Sequence, residues 1–205
     1  MSKEIRTFNF EVRAEQNEEH GHFLTGQPIV YDERTDLGWY DEIIDDGALA
    51  ETDLRDVRFL VNHNTDMIPL ARSRNNNANS TMQMEIVPMR GMNIRVDLDT
   101  ENNADAKSLY SAVSRGDITG MSFMFTVDSD IWEELDSEHP TRHIRSISKV
   151  FEVSAVTFPA YEATSITARG LADALESAKA SLESAKAERR EIERKKQLIK
   201  ILMEV

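Results

Sequence analysis

Gly116-Asp117-Ile118-Thr119-Gly120-Met121-Ser122-Phe123-Met124-Phe125 is the stretch on which the reading of this chain turns. Met121, Phe123, Phe125 and Val127 recur at period two, the spacing of one strand face, while Gly120, Ser122 and Met124 fall on the other. A strand is expected to begin at Ile118, with Ser122 pointing away from the aromatic face. Gly120 leaves Ser122's face open to the close approach of another backbone or a ligand.

The neighbouring segments extend this pattern. Ala106, Leu109, Tyr110 and Val113 share one face of an expected helix over residues 103–115, which Gly116 stops. Residues 82–87 and 92–98 flank Pro88-Met89-Arg90-Gly91, turn chemistry that makes them an antiparallel pair. Val57-Arg58-Phe59-Leu60-Val61 reads as a short apolar strand ending at Asn62-His63-Asn64. Before it, Ala48-Leu49-Ala50-Glu51 reads as a short helix after Asp45-Asp46-Gly47. Phe8, Phe10 and Val12 alternate with polar residues as a first strand, followed by a turn over 15–22 and a second strand over 23–31. Downstream, 144–156 is strand-like, its apolar run interrupted by Glu152, and Pro159-Ala160-Tyr161 ends it.

Beyond this body the composition changes. The last proline is Pro159, the last aromatic Tyr161 and the last glycine Gly170, after which helix formers and charges fill the chain. Leu171, Leu175, Ala178, Leu182, Ala185, Arg189, Ile192, Lys196, Ile199 and Met203 follow a helical stripe broken by cations, so one long helix is expected. It reads equally as a coiled-coil segment and as a solvated helix that folds with a partner. A polar linker over 162–170 separates it from the body, giving domains of 1–168 and 169–205.

Charge and composition exclude several function classes. The 205 residues hold 24 Lys+Arg and 37 Asp+Glu, a formal net charge of −13. Residues 171–205 carry eight basic and seven acidic side chains, leaving 16 basic and 30 acidic in the first 170. An acidic body argues against a general affinity for nucleic acid or anionic membranes. Cysteine is absent, which excludes a disulfide scaffold, thiolate zinc sites and a cysteine nucleophile. No apolar run is long enough to span a bilayer and no signal segment opens the sequence, so a soluble, cytosolic protein is expected.

Chemistry must then come from other side chains. Ser122, His63 and Glu152 supply a hydroxyl, an imidazole and a carboxylate, the three roles acyl transfer needs without a metal or a thiol. Each has a plainer reading taken singly: a strand serine, a strand-end histidine, and a glutamate at a sheet edge or paired with Arg145. His20-Gly21-His22 beside Glu18 and Glu19 has a metal-ligand spacing, but in a Glu/Asn-rich turn it reads as exposed loop. A non-catalytic scaffold or assembly factor is the alternative function, the three residues then being incidental.

Several segments carry a resemblance in one order along the chain: Leu24-Thr25-Gly26, Glu42-Ile43-Ile44 before Asp46-Gly47-Ala48-Leu49, Val61-Asn62-His63-Asn64, Leu70-Ala71-Arg72, Gly116 to Phe123, Glu152-Val153-Ser154 and Pro159-Ala160-Tyr161. Over residues 5–168 the chain resembles the prohead (procapsid) maturation proteases of tailed bacteriophages, a family related in fold to herpesvirus assemblin. Ala71 departs from the glycine expected there. The resemblance implies an α+β, strand-dominated fold, a small and mostly antiparallel β-barrel with surrounding helices, here followed by the helical tail. It also implies a serine endopeptidase without cofactor or metal, with His63 as general base, Ser122 as nucleophile and Glu152 as third member; His143 and Asp66 are rivals for that last role. Arg72, Arg145 or backbone amides are candidate oxyanion donors. Its substrates would be the major capsid protein with its scaffold segment, and the enzyme itself, inside the assembling procapsid in the host cytoplasm. Dimerisation is expected, and the tail would dock among helical scaffold segments and be removed by autoproteolysis.

Overall fold

The computed structural model describes residues 3–8, 12–157 and 167–203. Eleven strands and two helices appear among them, in the order β1 (Glu4–Phe8), β2 (Arg13–Asn17), β3 (Gly21–Val30), β4 (Thr35–Asp36), β5 (Asp41–Ile44), β6 (Asp56–Val61), β7 (Ala71–Arg74), β8 (Met82–Val87), β9 (Gly91–Leu98), α1 (Ala104–Ser114), β10 (Gly120–Glu133), β11 (Thr141–Val156) and α2 (Thr167–Met203). The α+β, strand-dominated reading holds.

Two sheets enclose one core. The larger runs β1-β10-β11-β5-β4, with β6 also paired to β11 and β7 paired to β6; the smaller runs β2-β3-β9-β8. Most pairings are antiparallel, but β5 and β6 both run parallel to β11, along residues 141–144 and 152–155 respectively. Neither sheet closes on itself among the described residues. Leu24, Ile29, Met92, Ile94 and Val96 from the smaller sheet meet Phe59, Met121, Phe123, Phe125, Val153 and Ala155 from the larger one, with Ala106, Leu109 and Val113 of α1 against them. Each Val, Leu, Ile, Phe or Met among them contributes about 1.5–3 kcal/mol on burial. Asn103 caps α1 by accepting from the amides of Asp105 and Ala106, and Gly116 follows it at φ 77°.

Some local expectations change. Residues 48–51 form turns rather than a helix: Ala48, Ala50 and Thr52 donate to carbonyls three residues back, and Gly47 has φ 83°. A four-residue stretch cannot repay helix nucleation, and its apolar members Ala48 and Leu49 are drawn into the core. The turn expected over 15–22 shrinks to three residues, because residues 15–17 pair with 21–23 across a hairpin. The first strand lies earlier than expected, at Glu4–Phe8; Phe10 lies outside the described residues, as do Pro159-Ala160-Tyr161 and most of the expected polar linker. From Thr167 onward that linker is helical.

The long helix is docked over its first half. Ala178 and Leu182 are buried with Tyr40 and Trp132, and Leu175 and Ala185 pack at the edge of that second cluster. Ser177 donates to Glu4 Oε1 at 3.0 Å, and Ser181 links Trp132 Nε1 at 3.0 Å to Asp130 Oδ1 at 2.7 Å. Past Arg189, which reaches Asp136, the helix overhangs the body, and Ile192, Leu198, Ile199, Leu202 and Met203 are exposed.

Beside this docking site lies a buried charge network. Arg6 pairs with Glu4 and Glu42, and Arg142 pairs with Glu4, Glu42 and Asp130. The two guanidiniums and the two glutamates are 3% exposed or less. Burial alone would lower the Arg6 and Arg142 pKa values, but Glu42 and Glu4 outweigh it and hold both above the ordinary arginine value. The same setting pushes Tyr40 up to about 12, through burial.

Candidate active site

Period-two alternation and strand register gather the expected residues on one sheet face. On β10, Met121 and Phe123 face the core, which turns Ser122 the other way; on β11, Val153 and Ala155 face the core, which turns Glu152 and Ser154 the other way. Ser122 stands directly opposite Ser154 in the β10–β11 ladder. β6 lies on the other side of β11, with Leu60 beside Ser154 and Val61 beside Ala155, so the residues that follow β6 emerge at the Glu152–Ser154 end of the strand.

Asn62 and His63 turn the chain there. Both adopt left-handed backbone, at φ 53° and 55°, a conformation that costs a non-glycine residue free energy and persists only where its surroundings hold it. The holding bonds come from β11 and the residue after it. The Asn62 amide donates to the Ala155 carbonyl at 2.9 Å, the Asn62 side chain exchanges hydrogen bonds with Thr157 at 2.9 and 3.0 Å, and the His63 amide donates to Ser154 Oγ at 3.1 Å. The imidazole is thereby laid over β11.

Its partner is Glu152. His63 Nδ1 lies 2.6 Å from Glu152 Oε1, while Ser154 Oγ donates to Glu152 Oε2 at 2.5 Å. A carboxylate in its ionised form can only accept, and a neutral imidazole facing it then carries its proton on Nδ1, with the Nε2 lone pair available. Nε2 is buried and has no hydrogen-bond partner among the described residues. The pair has the chemistry of an oriented general base.

Ser122 is fully buried, and its hydroxyl donates to the Arg6 carbonyl of β1 at 2.7 Å. That carbonyl belongs to the neighbouring strand of the ladder, in which Thr7 of β1 stands opposite Ser122. The structure unites His63 with Glu152 and puts Ser122 on the same face, with its proton directed to Arg6.

The rivals lie elsewhere. His143 Nδ1 binds Asp45 Oδ1 at 2.8 Å, and Asp66 is exposed in the turn after His63; neither contacts His63 among the described residues. Arg145 is also held by Asp45, at 2.7 Å, and not by Glu152. Arg72 is held by Asp56 at 2.6 and 2.9 Å, so both arginine candidates for the oxyanion site are committed to carboxylates. His22 binds Thr100 at 2.8 Å and packs on Tyr110, while His20 packs edge-on against Phe23, so the His-x-His pair takes separate partners. Asp36, Asp41 and His139 bring three potential ligand atoms within 4.8 Å of one another, but Asp41 is already engaged by Arg34. Sequence reasoning gave no role to Ser154 or to the Arg6 carbonyl. Ser154 could have been found, since it lies two residues after Glu152 and therefore on the same strand face.

A family model described as caudovirus prohead serine protease matches residues 8–178. No curated protein and no solved structure matches the chain.

Proposed function

The chain belongs to the caudovirus prohead serine protease family, and from that premise we propose that it is a serine endopeptidase of phage head maturation, with Ser122 as nucleophile, His63 as general base and Glu152 as the residue that orients the base. The observation that carries this reading is the His63 Nδ1–Glu152 Oε1 contact of 2.6 Å, with Nε2 unpartnered among the described residues on the sheet face that also bears Ser122.

In this reading the Ser122 hydroxyl leaves the Arg6 carbonyl and passes its proton to His63 Nε2 as Oγ attacks the scissile carbonyl. Glu152 stabilises the imidazolium that forms. The imidazolium then protonates the departing amine, and an acyl-enzyme results. A water activated by the regenerated imidazole hydrolyses it, returning the proton to Ser122. Substrates are the major capsid protein with its scaffold segment, and the chain itself, inside the procapsid. The active form is a dimer, and the two sheets belong to an assemblin-like barrel. The exposed end of α2, cationic with an apolar stripe, docks among helical scaffold segments, and autoproteolysis removes the tail.

Mass spectrometry of the chain co-expressed with its capsid protein tests the reading. Wild type should yield cut capsid precursor and a shortened chain; Ser122→Ala should yield neither while shells still assemble. Full processing by Ser122→Ala overturns the assignment, and intact precursor with wild type points instead to a non-catalytic assembly factor.

A further inference from the structure

We propose that Ser154 is a positioning residue of the catalytic site, holding both the backbone of His63 and the carboxylate that orients its ring; this rests on the protease reading above.

The geometry is a closed circuit. The His63 amide donates to Ser154 Oγ at 3.1 Å, Ser154 Oγ donates to Glu152 Oε2 at 2.5 Å, and Glu152 Oε1 meets His63 Nδ1 at 2.6 Å. One hydroxyl therefore fixes the main chain of His63 and, through Glu152, the ring of the same residue. Ser154 is fully buried, as is its ladder partner Ser122, so water has no access to replace the hydroxyl. A hydroxyl is the side-chain group that suits this place: it donates once and accepts as well, and both capacities are used.

Two physical consequences separate this role from ordinary core packing. The first is orientation. Without the bond to Ser154, the His63 amide loses the acceptor that holds a left-handed residue in place, and Glu152 Oε2 loses its donor. The Nδ1–Oε1 contact then no longer has a fixed direction, and Nε2 drifts from the line of proton transfer. Misplacement on this scale lowers turnover by about 10–100-fold. Ser154 is fully buried and does not itself face a substrate, so KM is expected to hold. The second is electrostatic. Ser154 shares the carboxylate's negative charge; when the donor is removed, more of that charge faces Nδ1, and the protonated imidazole is favoured. The acid limb of the rate profile then moves to higher pH.

The test uses the full chain and a peptide spanning a cleavage site mapped on the wild-type digest. Ser154→Ala is expected to lower kcat by about 10–100-fold with KM within about twofold, and to move the acid limb of kcat/KM upward. Ser154→Thr, which keeps the hydroxyl, is expected to restore the wild-type limb. Circular dichroism normalises each rate to folded protein. Should Ser154→Ala not fold, Ser154→Cys preserves volume but offers a weak donor and acceptor, and it is expected to shift both observables in the same direction. Wild-type kcat and an unmoved acid limb in Ser154→Ala, or in Ser154→Cys where that variant stands in, overturn the proposal. So does a loss of rate that disappears after normalisation to folded protein. Ser122→Ala run in parallel keeps the two readings apart. If it cleaves normally, the protease assignment fails; if it is inactive while Ser154→Ala is not impaired, only the positioning role fails.

Discussion

The Ser122 hydroxyl donates to the Arg6 carbonyl at 2.7 Å, and the guanidinium of the same Arg6 is locked between Glu4 and Glu42 in the interior. The group proposed as nucleophile and the buried ion network therefore share one residue of one edge strand. β1 is held both by its ladder with β10 and by these charge pairs, and the Ser122 hydroxyl is bonded to it.

Removing one member of that network should be severe. Glu42→Ala leaves Arg6 and Arg142 with one shared carboxylate fewer in a dry setting, and breaking a buried pair in this way costs about 3–5 kcal/mol. Urea denaturation should register that loss. A change within about 0.5 kcal/mol, the scale of an ordinary surface substitution, would show that the pairs are not what holds β1.

Stability should fall in acid. Burial pushes the Glu4 carboxyl up, but Arg6, with the hydrogen bond and charge of Arg142, outweighs burial and holds it below its ordinary 4.5. Hydrogen bonds from the Arg55 side chain and amide, with Lys149, likewise depress Asp53. Depressed carboxylates contribute stability that is complete above their unfolded values and is lost as pH falls through the folded ones. Denaturation midpoints should thus decline below about pH 4.5, and the decline should be shallower in Glu4→Gln, although that variant is less stable at neutral pH. Identical slopes for the two proteins would exclude Glu4 as a contributor.

The glycine that ends the Pro88-Met89-Arg90-Gly91 turn makes a steric prediction. Gly91 sits at φ 121°, and a Cβ there would lie 2.0 Å from the Ile29 carbonyl oxygen and 2.8 Å from its carbon, both main-chain atoms. Gly91→Ala must separate β3 from β9 at that point, a loss of at least about 1–3 kcal/mol. Thermal denaturation equal to wild type would refute the close approach.

Orienting the base is the subject of the last prediction. Glu152→Gln can present an amide N–H to His63 Nδ1, which favours the tautomer with its proton on Nε2 and blocks proton acceptance there. A fall in kcat of about 10⁴-fold with modest change in KM is expected, by analogy with the loss seen when a serine-protease orienting carboxylate becomes an amide. Activity within about tenfold of wild type would remove Glu152 from its role.

What could be read from sequence was what repeats locally. Period-two alternation identified β10 and the face of Ser122, turn chemistry the 82–98 hairpin, and helical spacing with a glycine stop the 103–115 helix, because each depends on neighbours a few residues away. The 48–51 turn was misread for the same reason: its fate was decided by burial of Ala48 and Leu49 against distant strands, which overrode local helix preference. Residue types suggested His63, Ser122 and Glu152, but their contacts depend on register between strands 89 or more residues apart. No local signal separated Glu152 from His143 or Asp66. The parallel β6–β11 pairing sets His143 apart, by delivering His63 to one end of β11 while His143 lies near the other; Asp66 is carried to the same end as His63 but is exposed in the turn.

The half-docked α2 has a kinetic consequence. A backbone cut between β11 and α2 would sever the covalent link but leave Ala178 and Leu182 seated against Tyr40 and Trp132, and Ser177 and Ser181 bonded to Glu4 and Asp130. Scission and departure would then be two events, the second governed by a dissociation rate, so that a clipped chain keeps its helix as a bound peptide for a lifetime set by that small apolar cluster.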